Sequence, residues 1–107
     1  MAEQVTWRGA SGREYAYWVY ATNTTFKDEP GNYIYAKLNS AGKWQAVYIG
    51  QTSSLSQRLA SHEKEQSVIH RGGATHILAH LSPNSIARRA EEMDLIRMYN
   101  PPFNERL

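Results

Sequence analysis

Between Glu14 and Ala21 the chain reads EYAYWVYA, a run of aromatic and β-branched residues that predicts a strand. Two runs of the same kind follow, Tyr33–Leu38 (YIYAKL) and Trp44–Gly50 (WQAVYIG). Between them lies Asn39-Ser40-Ala41-Gly42, a four-residue loop closed by glycine, and the spacing predicts a β-hairpin. The polar stretch Thr22–Pro30 runs into Pro30-Gly31, a turn signal. From about Leu55 to about Gln66, Leu55, Leu59 and Ala60 take up helical spacing. His70-Arg71-Gly72-Gly73 predicts a loop and Thr75–Leu81 (THILAHL) a further strand. Ser82-Pro83 has the form of an N-cap followed by proline at the first helical position. The helix it opens is expected to reach Tyr99 and stop at Asn100-Pro101-Pro102. The order strand, strand, strand, helix, strand, helix predicts an α+β domain. Its centre is a small antiparallel sheet of three to four strands, including an added N-terminal strand, flanked by helices.

The hairpin juxtaposes candidate chemistry. A four-residue loop pairs Leu38 with Lys43, which sets Lys37 opposite Trp44, Ile34 opposite Val47 and Tyr33 opposite Tyr48. Opposed residues project from the same side of a sheet, so both phenols share one face with Tyr35 beside them. Ile34, Ala36, Leu38, Val47 and Ile49 are left mainly for the other, core-facing side. A one-residue slip would separate the two tyrosines. An aromatic cross-strand pair also stabilises a hairpin with no further role.

On the first helix, Arg58 and His62 stand four apart on one face. A guanidinium clamps phosphate and an imidazole exchanges protons near neutral pH. With Glu63, Lys64 and Glu65 adjacent, the same pair also reads as a solvated face. On the last helix Glu92, Leu95, Ile96 and Tyr99 follow the i, i+3, i+4, i+7 spacing of a buried face. A carboxylate at the edge of such a face needs a cation, either an arginine or a metal. Arg88 and Arg89 precede Glu92 by four and three residues, the poorer order for a helix ion pair. Glu91 reads as solvent-facing or as a salt-bridge partner. His76 and His80 share a strand face, too far apart to hold one metal easily, and read as structural. His70 lies in a glycine-flanked loop that could border a groove.

Length and composition narrow the choice. A chain of 107 residues predicts one domain, and 41% hydrophobic with 21% charged residues excludes disordered, collagenous and low-complexity classes. There is no cysteine, which removes disulfides, thiolate metal sites and thiol catalysis and leaves oxygen ligands for a metal. That composition fits a reducing compartment. No apolar run approaches membrane-spanning length, and Met1–Thr6 lacks the regions of a signal peptide, so a cytoplasmic protein with no membrane partner is expected. A net charge of +2 says little about nucleic acid, but eight arginines against four lysines favour bidentate phosphate contacts. Phenols, arginine, histidine and a carboxylate together suit phosphodiester hydrolysis. A metal on the carboxylate would act as Lewis acid, arginine would neutralise phosphate, and a phenol or histidine would take a proton from water.

In this order and spacing the residues resemble the GIY-YIG endonuclease superfamily. Gly31-Asn32-Tyr33 is similar to the first signature element, with Asn32 where the family usually has an apolar residue. Tyr48-Ile49-Gly50 matches the second in full. The stretch from Leu55 to His62 resembles the family's arginine helix and its following histidine. Arg88 to Glu92, continuing to Tyr99-Asn100-Pro101-Pro102-Phe103-Asn104, resembles its metal-binding glutamate helix and terminal asparagine. The resemblance implies one domain over residues 1–107: a catalytic core at 31–104, and an N-terminal extension, 1–30, carrying one strand. It implies a metal-dependent DNA endonuclease. Glu92 would be the only protein ligand of a single Mg²⁺ or Mn²⁺, and Arg58 would hold the scissile phosphate. Tyr33 and Tyr48 would line the water side, one of them as general base or in-line positioner. His62 would orient or deprotonate that tyrosine, and Asn104 would brace the site or touch phosphate.

A free phenol titrates near ~10, so a tyrosine base has to be activated by its neighbours or the metal. Many members carry a lysine just after the second signature, where this chain has Gln51-Thr52-Ser53-Ser54; Lys64 or Arg71 is the candidate substitute. The aromatic residues of the extension, Tyr15, Tyr17, Trp18 and Tyr20, are expected to add a sheet edge or form a partner surface. A homodimer or a separate targeting protein would then supply target choice. No groove-reading motif is present. The alternative functions are a nucleic-acid-binding module of the same fold with little or no cleavage, and a protein-interaction domain built on the aromatic strand.

Overall fold

The computed structural model of the chain describes residues 3–60 and 69–104. Its strands are β1 (Gln4–Arg8), β2 (Glu14–Ala21), β3 (Gly31–Leu38), β4 (Trp44–Thr52) and β5 (His76–Leu81), and its helices are α1 (Leu55–Ala60) and α2 (Ser85–Tyr99). The strands form one sheet in the order β1-β2-β5-β3-β4, and every neighbouring pair is antiparallel. The α+β class is as expected, but the extension contributes two strands rather than one. In β1 the alternation is short: Trp7 is buried, Val5 is half-buried, and Gln4, Thr6 and Arg8 face solvent.

The extension is locked to the rest of the molecule. Asp94 of α2 accepts hydrogen bonds from the Ser11 amide (2.8 Å), the Ser11 hydroxyl (2.7 Å) and the Tyr15 hydroxyl (2.8 Å). These bonds hold the Asp94 pKa below its ordinary value, while burial and the bond to Asp94 push the Tyr15 phenol up to about 12. Gly9 is required in this turn, because a Cβ there would lie 2.1 Å from Asp94 Oδ2.

The sheet separates two apolar layers. On one face Tyr33, Tyr35, Val47, Ile77 and Ala79 pack with Leu55 and Leu59 of α1. On the other, Tyr17, Ile34, Ala36, Ala46, Ile49 and Leu78 pack with Leu95 of α2 and with Trp7. Full burial of an aliphatic side chain such as Ile34, Ile49 or Leu95 stabilises the fold by roughly 1.5–3 kcal/mol.

Helix α2 begins later than Ser82-Pro83 suggested. The Ser82 amide donates to the Pro30 carbonyl (3.0 Å) in continuation of the strand, and Asn84 is the cap, accepting from the Ala87 amide at 2.9 Å. The helix ends as expected before Pro101, with Asn100 in the left-handed region and its amide bonded to the Ile96 carbonyl at 2.7 Å. The expected continuation of α1 to Gln66 falls partly on residues 61–68, outside the described residues. A helical turn at 69–71 precedes Gly72-Gly73, where a loop was expected from His70.

The hairpin register differs from the expected one in two places. Leu38 pairs with Trp44, because Asn39 Oδ1 accepts from the Ala41 and Lys43 amides (2.9 and 3.0 Å) and holds a five-residue loop. The pairing then shifts again between Tyr35 and Ala36: Ala36 faces Ala46, Tyr35 faces Tyr48, and Val47 is the extra residue of a bulge. Two single steps in the same direction restore the side-chain parity. Tyr33 and Tyr48 therefore still share a face, although Tyr33 lies opposite Gly50 rather than Tyr48. Val47 moves to the tyrosine side, and Leu38 ends up exposed instead of in the core.

Candidate active site

Tyr33 lies between two small neighbours, Gly50 on β4 and Ala79 on β5. A Cβ at Gly50 would stand 2.5 Å from both Cζ and Oη of Tyr33. The missing side chain is thus the space that the phenol occupies as it lies across β4. The Tyr48 ring stacks beside it, with centroids 6.2 Å apart at 28°, and Tyr35 meets it edge-on at 6.1 Å.

Arg58 is brought to the phenols by α1. The Gln57 amide donates to Ser54 Oγ (3.3 Å) at the start of the helix, and Leu55 and Leu59 are buried against the sheet. That anchoring directs Arg58 to the tyrosines: Nε donates to the Tyr33 hydroxyl at 3.0 Å and a terminal nitrogen reaches the Tyr48 hydroxyl at 3.5 Å. Burial pushes the Tyr33 phenol well above the ordinary phenol range, and the hydrogen bond from Arg58 offsets this only in part. Burial works against the charge of Arg58, but its bonds to the two phenols outweigh that, and the guanidinium is held firmly protonated. Tyr33 therefore keeps its proton near neutrality and presents its hydroxyl oxygen to a fixed cation.

Glu92 sits half-buried on α2. Burial raises its pKa above the usual carboxylate value, while Arg58, Arg89 and the Gln51 amide pull the other way. The carboxylate thus shares the electrostatic field of Arg58 and meets the backbone one residue beyond Gly50. Arg89 acts on it, whereas Arg88 is engaged elsewhere.

Asn104 grips the outer edge of β4. Its Oδ1 accepts from the Ile49 amide (2.9 Å) and its Nδ2 donates to the Ile49 carbonyl (2.8 Å), as a neighbouring strand would. The Phe103 amide bonds the Val47 carbonyl at 3.2 Å and extends the same contact. Asn104 therefore bears on the second signature through the backbone of its central residue. His62 and Lys64 lie outside the described residues. Arg71 is exposed, and His70 meets Tyr35 edge-on at 6.3 Å, at the border of the tyrosine group.

A second polar group lies on the α2 side of the sheet, and the sequence reading assigned it no role. Glu91 is buried: it accepts from the Tyr17 hydroxyl and from His80 Nε2 (2.6 Å). Of the two readings of Glu91, the solvent-facing residue does not hold, because the helix turns position 91 toward β2 and β5, where its carboxylate is a buried partner of Tyr17 and His80. The Tyr17 phenol is pushed well above its ordinary pKa, first by burial and then by Glu91. Arg88 is buried too, donating to Gln51 Oε1 (3.1 Å) and to the Ser82 carbonyl (2.9 Å). Its own carbonyl accepts from Asn32 Nδ2 at 3.0 Å. This accounts for both departures from the signatures: Asn32 and Gln51, opposite one another in the register, are tied to Arg88. The expected register sets Asn32 opposite Ile49, so the pairing of 32 with 51 was not visible before the structure.

Three solved structures are similar to this chain. All are crystal structures of the GIY-YIG N-terminal endonuclease domain of UvrC from Thermotoga maritima, each a tyrosine-to-phenylalanine point mutant bound to its catalytic divalent cation. They share 28%, 30% and 28% identity with TM-scores of 0.57, 0.57 and 0.56. In each case 73% of this chain is covered, with 84%, 85% and 84% of the respective domain. No family model matches the chain, and no curated protein matches it.

Proposed function

This chain belongs to the GIY-YIG endonuclease family, and on that footing we propose that it is a divalent-metal-dependent endonuclease hydrolysing DNA phosphodiester bonds. The observation that carries the reading is the contact of Arg58 with the Tyr33 and Tyr48 hydroxyls on one sheet face, within the field of the half-buried Glu92.

The donor set fits one kind of ion. Among the described residues no three metal-ligating side chains cluster. By the family likeness Glu92 would be the protein ligand of a Mg²⁺ or Mn²⁺, as suits an ion that keeps most of its waters. When bound, the ion supplies Lewis-acid stabilisation of charge on the phosphate and leaving oxygens. Arg58 holds the scissile phosphate, its charge pre-oriented by two phenols. Tyr33 and Tyr48 line the water side. Tyr33, kept protonated by burial, orients the attacking water through its hydroxyl oxygen, and Arg58 is the neighbour that favours its phenolate. His62, four residues beyond Arg58 in the sequence, orients or deprotonates the acting tyrosine. Asn104 is a positioning residue that acts through Ile49.

Residues 1–107 act as one unit in this reading, with the core at 31–104, and its proposed setting is the cytoplasm. Among the described residues no helix is long and apolar enough to cross a membrane.

The test is cleavage of supercoiled, linear, branched and single-stranded DNA with and without Mg²⁺ or Mn²⁺, beside Glu92→Ala. Metal-dependent nicking that disappears in Glu92→Ala supports the reading. Full activity in that variant overturns the assignment of Glu92. Salt-sensitive binding weakened by Arg58→Ala, with no turnover on any substrate, would instead identify a binding module of the same fold.

A further inference from the structure

The strand register aligns Trp18, Ala79, Tyr33 and Gly50 in one row across β2, β5, β3 and β4. Beyond Ala79, away from Arg58, the same face opens into a cavity of about 570 Å³. Its walls include Trp18 and Tyr20 of β2, Phe26, Lys27 and Glu29 of the connecting segment, and Leu55 at the head of α1. Tyr20 and Phe26 meet edge to face at 5.1 Å, and Trp18 keeps 40% of its surface exposed. Adjacent strands lie about 4.8 Å apart, so Trp18 and Tyr33 are about 10 Å apart along the row. Leu55 belongs to both regions, since it lines the cavity and anchors the helix that carries Arg58.

We infer that this cavity receives one unpaired nucleobase next to the scissile phosphate, so that the protein selects DNA with an unstacked base beside the cut. The inference rests on the nuclease reading above. Continuity with the Tyr33 row identifies the occupant, because a strand whose phosphate lies at Arg58 has its neighbouring nucleotides within that distance. An exposed indole with two further aromatic rings offers faces on which any base stacks, whereas a base held in a duplex cannot enter such a recess. The charges agree with a base inside and a backbone outside. The Glu29 carboxylate disfavours a phosphate but accepts from the amino group of a base, and the exposed Lys27 offers a cation to the adjoining phosphate. Leu55 and the β5 residues Ala79, His80 and Leu81 complete the lining, but its three aromatic rings all precede the first signature, so the stacking surface belongs to the extension.

The experiment measures tryptophan emission and affinity in chelator, so that no cleavage occurs. It compares a fully paired duplex with the same duplex carrying one unpaired base. The expected result is quenching by the second DNA only, absent in Trp18→Phe. In Trp18→Ala or Phe26→Ala, affinity for the unpaired-base DNA falls about five- to hundredfold and affinity for the duplex changes little. Trp18→Phe, which keeps a stacking face, retains most of the preference and controls for folding. Equal losses on both DNAs overturn the inference, as does an unchanged preference in both alanine variants. Emission that follows protein concentration and ignores DNA assigns the cavity to a second copy and likewise overturns it. The nuclease reading is scored separately by cleavage with metal: a preference that depends on Trp18 without turnover supports the cavity and sinks catalysis. Metal-dependent cleavage with no role for Trp18 does the reverse.

Discussion

Arg58 donates from Nε to the Tyr33 hydroxyl at 3.0 Å, so the cation proposed for the phosphate and the phenol proposed for the water are one hydrogen-bonded unit. Arg58→Lys keeps the charge but loses the fork that reaches both phenols. It is expected to lower kcat about 100-fold, and Tyr33→Phe by a similar factor. Because the two act together, the double variant should lose far less than the product of the single losses. Fully multiplicative losses in single-turnover cleavage would show that they act independently.

Glu92 predicts a pH dependence of definite sign. Its folded-state pKa is raised, so the native state binds the proton more tightly than the unfolded chain. Its contribution to stability is present below the ordinary carboxylate pKa and is lost as pH rises through the folded value. Glu92→Gln is therefore expected to raise the Tm of the metal-free protein at pH 7 and to bring no gain near pH 3. Mg²⁺ should raise the Tm of the unaltered chain and leave Glu92→Gln unmoved. A Tm of Glu92→Gln below that of the parent at pH 7 contradicts the sign.

Gly50 tests packing against chemistry. Gly50→Ala places a methyl group 2.5 Å from the Tyr33 phenol and must displace it. The expected cost is about 1–3 kcal/mol in stability, together with roughly 100-fold in cleavage rate, because a displacement near 1 Å is enough for that loss. The double variant Gly50→Ala with Tyr33→Phe should show little further loss of rate. A large additional loss would mean that Gly50 matters for something other than the phenol.

The strand content was legible in the sequence because the runs around Tyr17, Ile34 and Val47 are long and uniformly apolar or aromatic. β1 was not, since five residues with two apolar positions give too little periodicity. The tyrosine face was reached through a register that was off by two residues. A bulge depends on how a strand coils against its neighbours and leaves no mark in composition, yet two offsets cancel in parity. Glu92 and Arg58 were legible from helix spacing, although the described part of α1 is only six residues long. The two readings of Glu91, solvent-facing or paired, could not be separated in the sequence because its partners, Tyr17 and His80, come from strands 74 and 11 residues away.

Glu91 is expected to matter for folding rather than for cleavage. Glu91→Ala leaves the buried Tyr17 hydroxyl and the His80 imidazole without their acceptor, and should cost about 3 kcal/mol. Denaturant unfolding is the measurement, with single-turnover rates at a temperature where both proteins are folded. A stable Glu91→Ala variant with abolished cleavage would move this carboxylate into the active site.

Asn104→Asp separates the two halves of the grip on Ile49. Aspartate still accepts from the Ile49 amide but cannot donate to the Ile49 carbonyl. The expected loss is about 1–2 kcal/mol with a several-fold drop in kcat and an unchanged KM. A rise in KM alone would mean that Asn104 touches the DNA.

The sheet order has a consequence for the birth of the protein. β5 follows the other described strands in the chain and yet lies between β2 and β3, so no strand pairing joins the β1-β2 hairpin to the β3-β4 hairpin until residues 76–81 arrive. On the ribosome both hairpins wait with open edges, and Tyr33 lacks the wall that Ala79 provides. Glu92 and Asn104 emerge later still. A nascent chain of this protein thus leaves its tyrosine face unassembled until β5 has emerged, and the closure of that one central strand brings both hairpins together.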